Sequence, residues 1–182
     1  MYVFKNFTEI NESESLEIFM GRNDEHVRRW MKSDSMLKFS EHQCFIESLR
    51  DQSDRLYFRV ERSGRFVGVY SIVDLCNGEG IGGFWITSYA RDRLLGLNVV
   101  FHSIDYLFKS RPLHCIRGYQ LFDNLAAKKI NALLGFLPVA SPKKSDPRMN
   151  YLELSRLEWE KNGPRKNKLL KIIELAENRN EN

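Results

Sequence analysis

Residues 79–98 read EGIGGFWITSYARDRLLGLN, and this stretch decides the fold because its character changes twice. Ile81, Phe84, Trp85 and Ile86 are β-branched or aromatic and predict a strand, while Gly82 and Gly83 inside it predict a bulge or a close backbone approach. Arg91, Asp92 and Arg93 then form a basic loop. Beyond it Leu97, Val100, Phe101, Ile104, Leu107 and Phe108 recur at helical spacing, which predicts a helix from about Leu97. The first turn of such a helix presents backbone N–H groups without intrahelical partners, and its dipole and the nearby arginines add positive charge. Gly96 has no Cβ, so a ligand can lie directly against the backbone there. A pyrophosphate suits this combination.

Upstream, residues 56–62 and 65–75 are strand-like runs joined by Ser63-Gly64, and Asn77-Gly78 turns the chain into the opening stretch. Residues 2–7 predict a first strand. Ser13 or Ser15 caps a helix over 16–31, which Gly21 and Arg22-Asn23-Asp24 interrupt as a kink or as two short helices. Ser40-x-x-Gln43 reads as a capping box that opens a further helix, ending near Arg50. Downstream, residues 113–121 alternate as a strand. Asp123 or Asn124 caps a helix whose buried stripe is Ala127, Ile130, Leu133 and Leu134, and Gly135 stops it. Residues 136–140 and 151–157 supply the last strands, and residues 166–177 predict a helix docked on its own chain.

A chain of 182 residues suits a single domain, expected over 1–160 with a helical tail over 161–182. Hydrophobic residues at 42% and charged residues at 29% exclude a disordered or membrane-spanning class. No apolar run approaches the ~20 residues that cross a bilayer. The N-terminal residues are polar throughout, without the apolar centre of a signal peptide, so a cytoplasmic location is expected. Cys44, Cys76 and Cys115 are odd in number and widely separated, which predicts small core residues and neither a disulfide frame nor a metal site. The net charge of +4 favours an anionic ligand, and the basic residues are too dispersed for nucleic acid.

Two motifs in this order carry a resemblance. Arg93-x-x-Gly96-x-Asn98 resembles the Q/R-x-x-G-x-G/A pyrophosphate loop of the GNAT N-acetyltransferase superfamily, and Asn124-x-x-Ala127 followed by Gly135-Phe136 resembles its N-x-x-A…G-F segment. The resemblance implies an α/β (α+β) GNAT fold, a mixed, mostly antiparallel sheet of about seven strands flanked by helices. It implies acetyl-CoA as donor and a primary amine as acceptor. In that family the backbone around Trp85, Ile86 and Thr87 would hold the acetyl and pantetheine parts. Arg91, Arg93, Leu95, Gly96, Leu97 and Asn98 would hold the pyrophosphate, and Asn124, Ala127 and Lys128 would line the other side of the cofactor arm. Asn98 stands where the motif has a small residue. Asn131 stands where many members place a Tyr that protonates the departing thiolate, which implies either that Asn131 hydrogen-bonds the sulfur or pantetheine or that the thiolate leaves with help from another group or water. Glu79 and His42 are candidate bases, and Tyr119 is a further titrating candidate.

The N-terminal half carries a closer resemblance. Arg22-Asn23-x-x-x-Val27-Arg28-x-Trp30-Met31, followed by Ser40-x-His42 and Phe45-Ile46-x-x-Leu49, is similar to PseH-type enzymes, which acetylate an amino group of a nucleotide-linked aminosugar. This implies a UDP-aminosugar acceptor, with Arg22, Asn23, Trp30 and His42 near it. Tyr119 departs from the carboxylate those enzymes carry at its position. A RimJ/RimL-like protein N-acetyltransferase and a CoA-binding module without turnover are the alternatives. The expected partner is a small-molecule amine, with no nucleic acid and no membrane, for a monomer or homodimer.

Overall fold

The structure, a computed structural model, describes residues 1–89, 94–141, 146–161 and 163–180. The chain divides into two compact units, Met1–Ala90 and Arg91–Asn182.

In the first unit, strand β1 (Tyr2–Asn6) precedes helices α1 (Glu12–Asn23), α2 (Glu25–Arg28) and α3 (Phe39–Ser48), and strands β2 (Leu56–Arg62), β3 (Arg65–Cys76) and β4 (Glu79–Ile86) follow. The strands lie in chain order, each antiparallel to the next. Both hairpin turns use left-handed residues, Ser63 and Gly64 at φ 50° and 75°, Asn77 and Gly78 at 49° and 77°. That handedness matches the twist of the strands it joins. Pairing of β3 with β4 runs without interruption from Gly68↔Ile86 to Val73↔Ile81, so the bulge expected at Gly82 and Gly83 is absent there. The ladder is irregular instead between Val60 and Glu61 and between Val73 and Cys76. The alternative, a close approach, holds at Gly83, where a Cβ would lie 3.3 Å from Ser71 Oγ.

Caps correct the expected helix ends. Asn11, not Ser13 or Ser15, opens α1: its Oδ1 accepts from the Glu14 N–H at 2.9 Å, and Glu14 Oε2 accepts from the Asn11 N–H at 2.8 Å. The helix runs straight through Gly21, and the break falls at Asp24, which ends α1 with its backbone and opens α2 by accepting from the His26 N–H. The box expected at Ser40 and Gln43 is displaced by two residues, because Glu41 Oε2 accepts from the Lys38 N–H at 2.9 Å. A charged carboxylate is the stronger acceptor. Phe7, Ile18, Leu49, Phe66 and Val69 form the core, with Phe45, Tyr57 and Trp85 packed against it.

In the second unit, α4 (Leu95–Ser110) leads to β5 (Cys115–Leu121), α5 (Leu125–Leu134), β6 (Leu137–Pro138), β7 (Met149–Ser155), α6 (Arg156–Lys161) and α7 (Gly163–Asn180). Strand β7 pairs antiparallel with both β5 and β6. The last strand stops at Ser155, short of the expected 157, because Arg156 turns away to donate from Nε and Nη2 to the carbonyls of Leu113 and Arg111, each at 2.6 Å. Helix α6 then buries Trp159 against Phe101 at 5.2 Å between ring centroids. Of the stripe expected on α5, Leu134 is buried, Ala127 and Ile130 are half-buried, and Leu133 is 45% exposed. In α7 Leu169 and Ile173 are buried, and Lys166 donates to Asp105 of α4 at 3.3 Å with its Nζ 4.5 Å from the Trp159 ring centroid.

Seven strands, antiparallel in every described pairing, and flanking helices make the mixed α/β architecture expected from the order of elements. No described helix is long and apolar enough to cross a membrane.

The tightest backbone approach lies on the β3–β4 ladder, where a Cβ on Gly68 would fall 2.3 Å from the Trp85 carbonyl oxygen. Among the described residues nothing lies within 4 Å of a Cβ built on Gly163. Gly68→Ala should therefore lower the unfolding free energy by about 1–3 kcal/mol, the cost of overpacking. Gly163→Ala should not lower it, as read from urea denaturation of the two variants beside the parent chain.

Candidate active site

Backbone direction along β4 sorts its residues into two sets. The Thr87 N–H donates to the Val67 carbonyl at 3.0 Å, and successive N–H groups of a strand point to opposite edges. Thr87 and Trp85 therefore direct their N–H groups to β3, whereas Ile86 and Phe84 direct theirs to the other edge. Of the three residues expected to hold a donor's acyl arm, Ile86 is the one whose N–H faces away from β3. Phe84 joins it, a residue that the two-residue period would have revealed. The Trp85 side chain packs on α1: a Cβ on Gly21 would come within 3.0 Å of its six-membered ring, and Phe66 meets it edge-on at 5.8 Å. Glu79 lies six residues before Trp85 on the same strand. At ~3.3 Å per residue that is roughly 20 Å, so β4 does not bring them together.

The segment that follows α1 is a clamp. Asn23 Nδ2 donates to the Leu37 carbonyl at 3.0 Å, and its Oδ1 accepts from the Leu37 N–H at 2.9 Å. Arg28 donates to the carbonyls of Asn23 and Asp34, and Arg22 Nη2 donates to the Ser33 carbonyl at 3.1 Å. Arg22 Nη1 is buried with no hydrogen-bond partner among the described residues. Burial and then the like charge of Arg28 hold the Arg22 guanidinium below its usual pKa. Trp30 is 38% exposed beneath the Arg29 guanidinium, which stands 5.2 Å from its ring centroid. Ser88, just past β4, donates to Asp24 at the α1–α2 break and, as the largest cause, holds that carboxyl below the usual carboxylate range.

His42 faces inward from α3, 5% exposed, with the rings of Phe19 and Phe39 at 5.8 and 6.3 Å. Its Nε2 lies 3.1 Å from the Ser15 carbonyl. A carbonyl oxygen only accepts, so Nε2 carries the proton and the lone pair is on Nδ1. Burial pushes the imidazole pKa down.

In the second unit α4 begins at Leu95, two residues before the expected start, and the side chain of its N-cap residue, Leu94, cannot cap it. Its first turn holds no acidic residue, and the Asn98 N–H reaches the Leu94 carbonyl at 2.9 Å. Leu95, Leu97 and Asn98 are buried while Gly96 is half-buried, so this turn turns backbone outward at Gly96 and keeps the extra atoms of Asn98 in the packed interior. Arg91 and Arg93 lie outside the described residues. On α5, Asn124 accepts from the Ala127 N–H at 3.0 Å as the N-cap. Asn124, Ala127, Lys128 and Asn131 fall on one face at helical spacing, and all four are half-buried. Asn131 Nδ2 donates to Gln120 Oε1 at 2.6 Å. Gln120 is 8% exposed on the face of β5 opposite to Tyr119, which is 44% exposed with the Tyr151 ring at 6.3 Å. Sequence reasoning missed Gln120, although a polar residue on the strand face that carries Ile116 was a signal.

The Campylobacter jejuni N-acetyltransferase PseH solved in complex with acetyl coenzyme A aligns over 86% of this chain and 99% of its own, with a TM-score of 0.70 at 23% identity. The spermidine N-acetyltransferase from Vibrio cholerae solved with CoA and spermine aligns over 87% and 97%, with a TM-score of 0.76 at 12% identity. The fold is that of the GNAT N-acetyltransferases. No protein-family model matches the chain. Over 132 residues, 71% of this chain and 81% of the relative, it is 30% identical to acetyltransferase PseH of Campylobacter jejuni subsp. jejuni serotype O:23/36, strain 81-176. The chain belongs to the PseH family of acetyltransferases.

The depressed pKa of His42 has a defined sign for stability. The folded chain resists protonation that the unfolded chain accepts below about pH 6.5, so this contribution is complete above that pH and is lost as the pH falls below it. His42→Phe should remove this component. The urea midpoint of the parent chain should fall between pH 7.5 and pH 5 by more than that of the variant; parallel declines would show that His42 does not contribute.

Proposed function

We propose that this chain transfers the acetyl group of acetyl-CoA to a primary amine of a nucleotide-linked aminosugar, as a PseH-like N-acetyltransferase. The observation that carries the acceptor class is Arg22. A buried guanidinium nitrogen without a partner, beside a second arginine, calls for an anionic oxygen. The diphosphate of a sugar nucleotide supplies one, with Trp30 as an apolar and aromatic neighbour for a sugar or base. A polycationic amine would instead meet the like charges of Arg22, Arg28 and Arg29. Asn23 contributes indirectly, since its carboxamide holds the Leu37 backbone and so the loop that Arg22 also grips.

The residues present fit the donor. The uncapped first turn of α4 at Leu95, Gly96 and Leu97 suits the pyrophosphate, with Arg91 and Arg93 adjoining in sequence. In the first unit the N–H groups of Ile86 and Phe84 suit an amide-bearing arm; in the second unit the α5 face of Asn124, Ala127, Lys128 and Asn131 offers polar groups that suit the same donor. Acetyl-CoA supplies a thioester: the amine forms the new C–N bond, the C–S bond breaks with its electron pair on sulfur, and the nitrogen gives up one proton. Positioning and donor hydrogen bonds dominate such a transfer. His42, with Nε2–H committed to Ser15, holds α3 against α1 near the acceptor residues. Glu79, six residues along β4 from Trp85, receives the amine proton only through a chain of several waters, and Tyr119 on β5 is the further candidate.

Thiol release from acetyl-CoA against sugar-nucleotide amines, short peptides and polyamines, with calorimetric binding in parallel, tests the reading. Turnover should appear with the aminosugar nucleotide. Arg22→Gln should raise its KM by about 10-fold or more, the worth of one charge-assisted hydrogen bond, without changing acetyl-CoA affinity. Turnover confined to polyamines or peptides would overturn the acceptor assignment, and binding without turnover on any amine would indicate a CoA-binding module. Gly96→Trp should abolish acetyl-CoA binding while the folded circular dichroism persists; retained affinity would remove the α4 turn from the site.

A further inference from the structure

We propose that Gln120 is a positioning residue that orients the Asn131 carboxamide, so that Asn131 donates an N–H to the sulfur of the departing thiol in place of a titrating acid. The inference rests on the acetyltransferase reading above. Asn131 Nδ2 carries two hydrogens. One is donated to Gln120 Oε1 at 2.6 Å, which leaves the second for a ligand on the α5 face shared with Asn124, Ala127 and Lys128.

An Asn side chain alone is a poor device for this task. Its terminal torsion is broad and roughly two-fold, so a lone carboxamide presents either its oxygen or its nitrogen. A buried partner that engages one end holds the torsion in place. Gln120 is buried on β5, paired in register with Asn150 of β7, and in the bond observed its Oε1 takes one N–H of Asn131. Asn150 Nδ2 is itself buried without a hydrogen-bond partner, so the carboxamides of this strand pair stand in a region with little solvent to compete for their bonds. There an unmade hydrogen bond is costly, and the one made is strongly specified.

The chemistry follows from the residue type. A carboxamide has no proton to give at ordinary pH, so the sulfur leaves as a thiolate that accepts an N–H from Asn131, and both the later protonation of sulfur and the removal of the amine proton involve water. A tyrosine at that position would cease to be a donor near pH ~10, whereas the Asn131 N–H persists across the range. The alkaline limb that a tyrosine acid imposes should be absent.

The test uses the full chain with Gln120→Leu, Asn131→Leu, the double variant and Asn131→Tyr. CoA is titrated in complex with each protein, and the thiolate is followed by its ultraviolet absorbance, which needs no turnover. In the parent complex the thiol should titrate below the value of CoA free in the same buffer, and Gln120→Leu and Asn131→Leu should each return it towards that value. Gln120→Leu should lower kcat by about 10-fold, less than the 10²–10³ of deleting a donor outright, with the KM for acetyl-CoA unchanged. Added to Asn131→Leu it should lower kcat no further, because it acts through that residue. Asn131→Tyr should introduce a descending alkaline limb. A parent complex with an unshifted thiol, or a Gln120→Leu variant that loses only thermal stability, would overturn this proposal and leave the function intact. No CoA binding by the parent chain would overturn both.

Discussion

The register of β3 on β4 is the constraint from which the first unit follows. The Asn77-Gly78 turn sets it at one end, and the Thr87 N–H bound to the Val67 carbonyl holds it at the other. Because strand geometry has a period of two, a slip of one residue would exchange the inward and outward N–H sets and turn every side chain over. Gly68 guards against a slip, since no other residue fits against the Trp85 carbonyl in this register. The same register delivers the Trp85 ring to α1, where Gly21 gives it room, and so sets the height at which α1 ends. Arg22 and Asn23 come next in the chain. The placement of the acceptor segment is thus a consequence of backbone pairing on a strand it does not belong to.

Charge secures the same arrangement. Arg59 is buried on β2 with its guanidinium 4.8 Å from the Phe66 ring centroid, bonded to Glu61 on its own strand and to Glu17 on α1. A buried cation is tolerated only when its charge is matched and its donors are used, so removing either carboxylate would act on the seat of α1 as well as on Arg59. Lys5 and Glu14 add a second tie at 2.7 Å, from β1 to the first turn of α1. Each of the two guanidinium groups has one buried nitrogen without a hydrogen-bond partner among the described residues, Nη1 of Arg22 and Nε of Arg59. They differ in charge: Arg59 has carboxylates on two sides, whereas the partner of Arg22 is the Ser33 carbonyl.

Most of the architecture was legible in the sequence because it rests on local chemistry. Ser63-Gly64, Asn77-Gly78 and Gly135 all adopt the left-handed backbone that their residue types suggest, and the strands they bound were expected within a residue or two. Errors arose where two local signals competed. Ser40 and Gln43 formed a plausible box, but Glu41 accepts more strongly and moved the start of α3 to Phe39. Residues 156 and 157 extend an alternating pattern, yet Arg156 finds carbonyl acceptors across the chain that no local window contains. For the site, residue types were legible and their surroundings were not. His42 read as a candidate base near the acceptor, whereas its burial comes from Phe19, Phe39 and Ser15 on other turns of the chain. Gln120 lies eleven residues from Asn131, at no spacing that periodicity links.

The departure from the family pattern at Asn131 on α5 is better understood together with Gln120 of β5 than singly. Asn131 in isolation looks like the loss of an acid, and a lost acid argues for a lost reaction. Yet the leaving group in this chemistry is a thiol, whose anion is far less demanding than an alkoxide or an amide anion. Such a group needs an oriented hydrogen bond more than it needs a proton in flight. A carboxamide gives that bond dependably only if a partner shielded from water holds its torsion, leaving the second N–H of the nitrogen for the sulfur. Gln120 is such a partner, reaching Asn131 from a strand whose own neighbour supplies another carboxamide. Had Asn131 merely drifted in after function was gone, nothing would require a buried acceptor opposite it. The second amide is the reason to regard the first as a working substitute for the tyrosine.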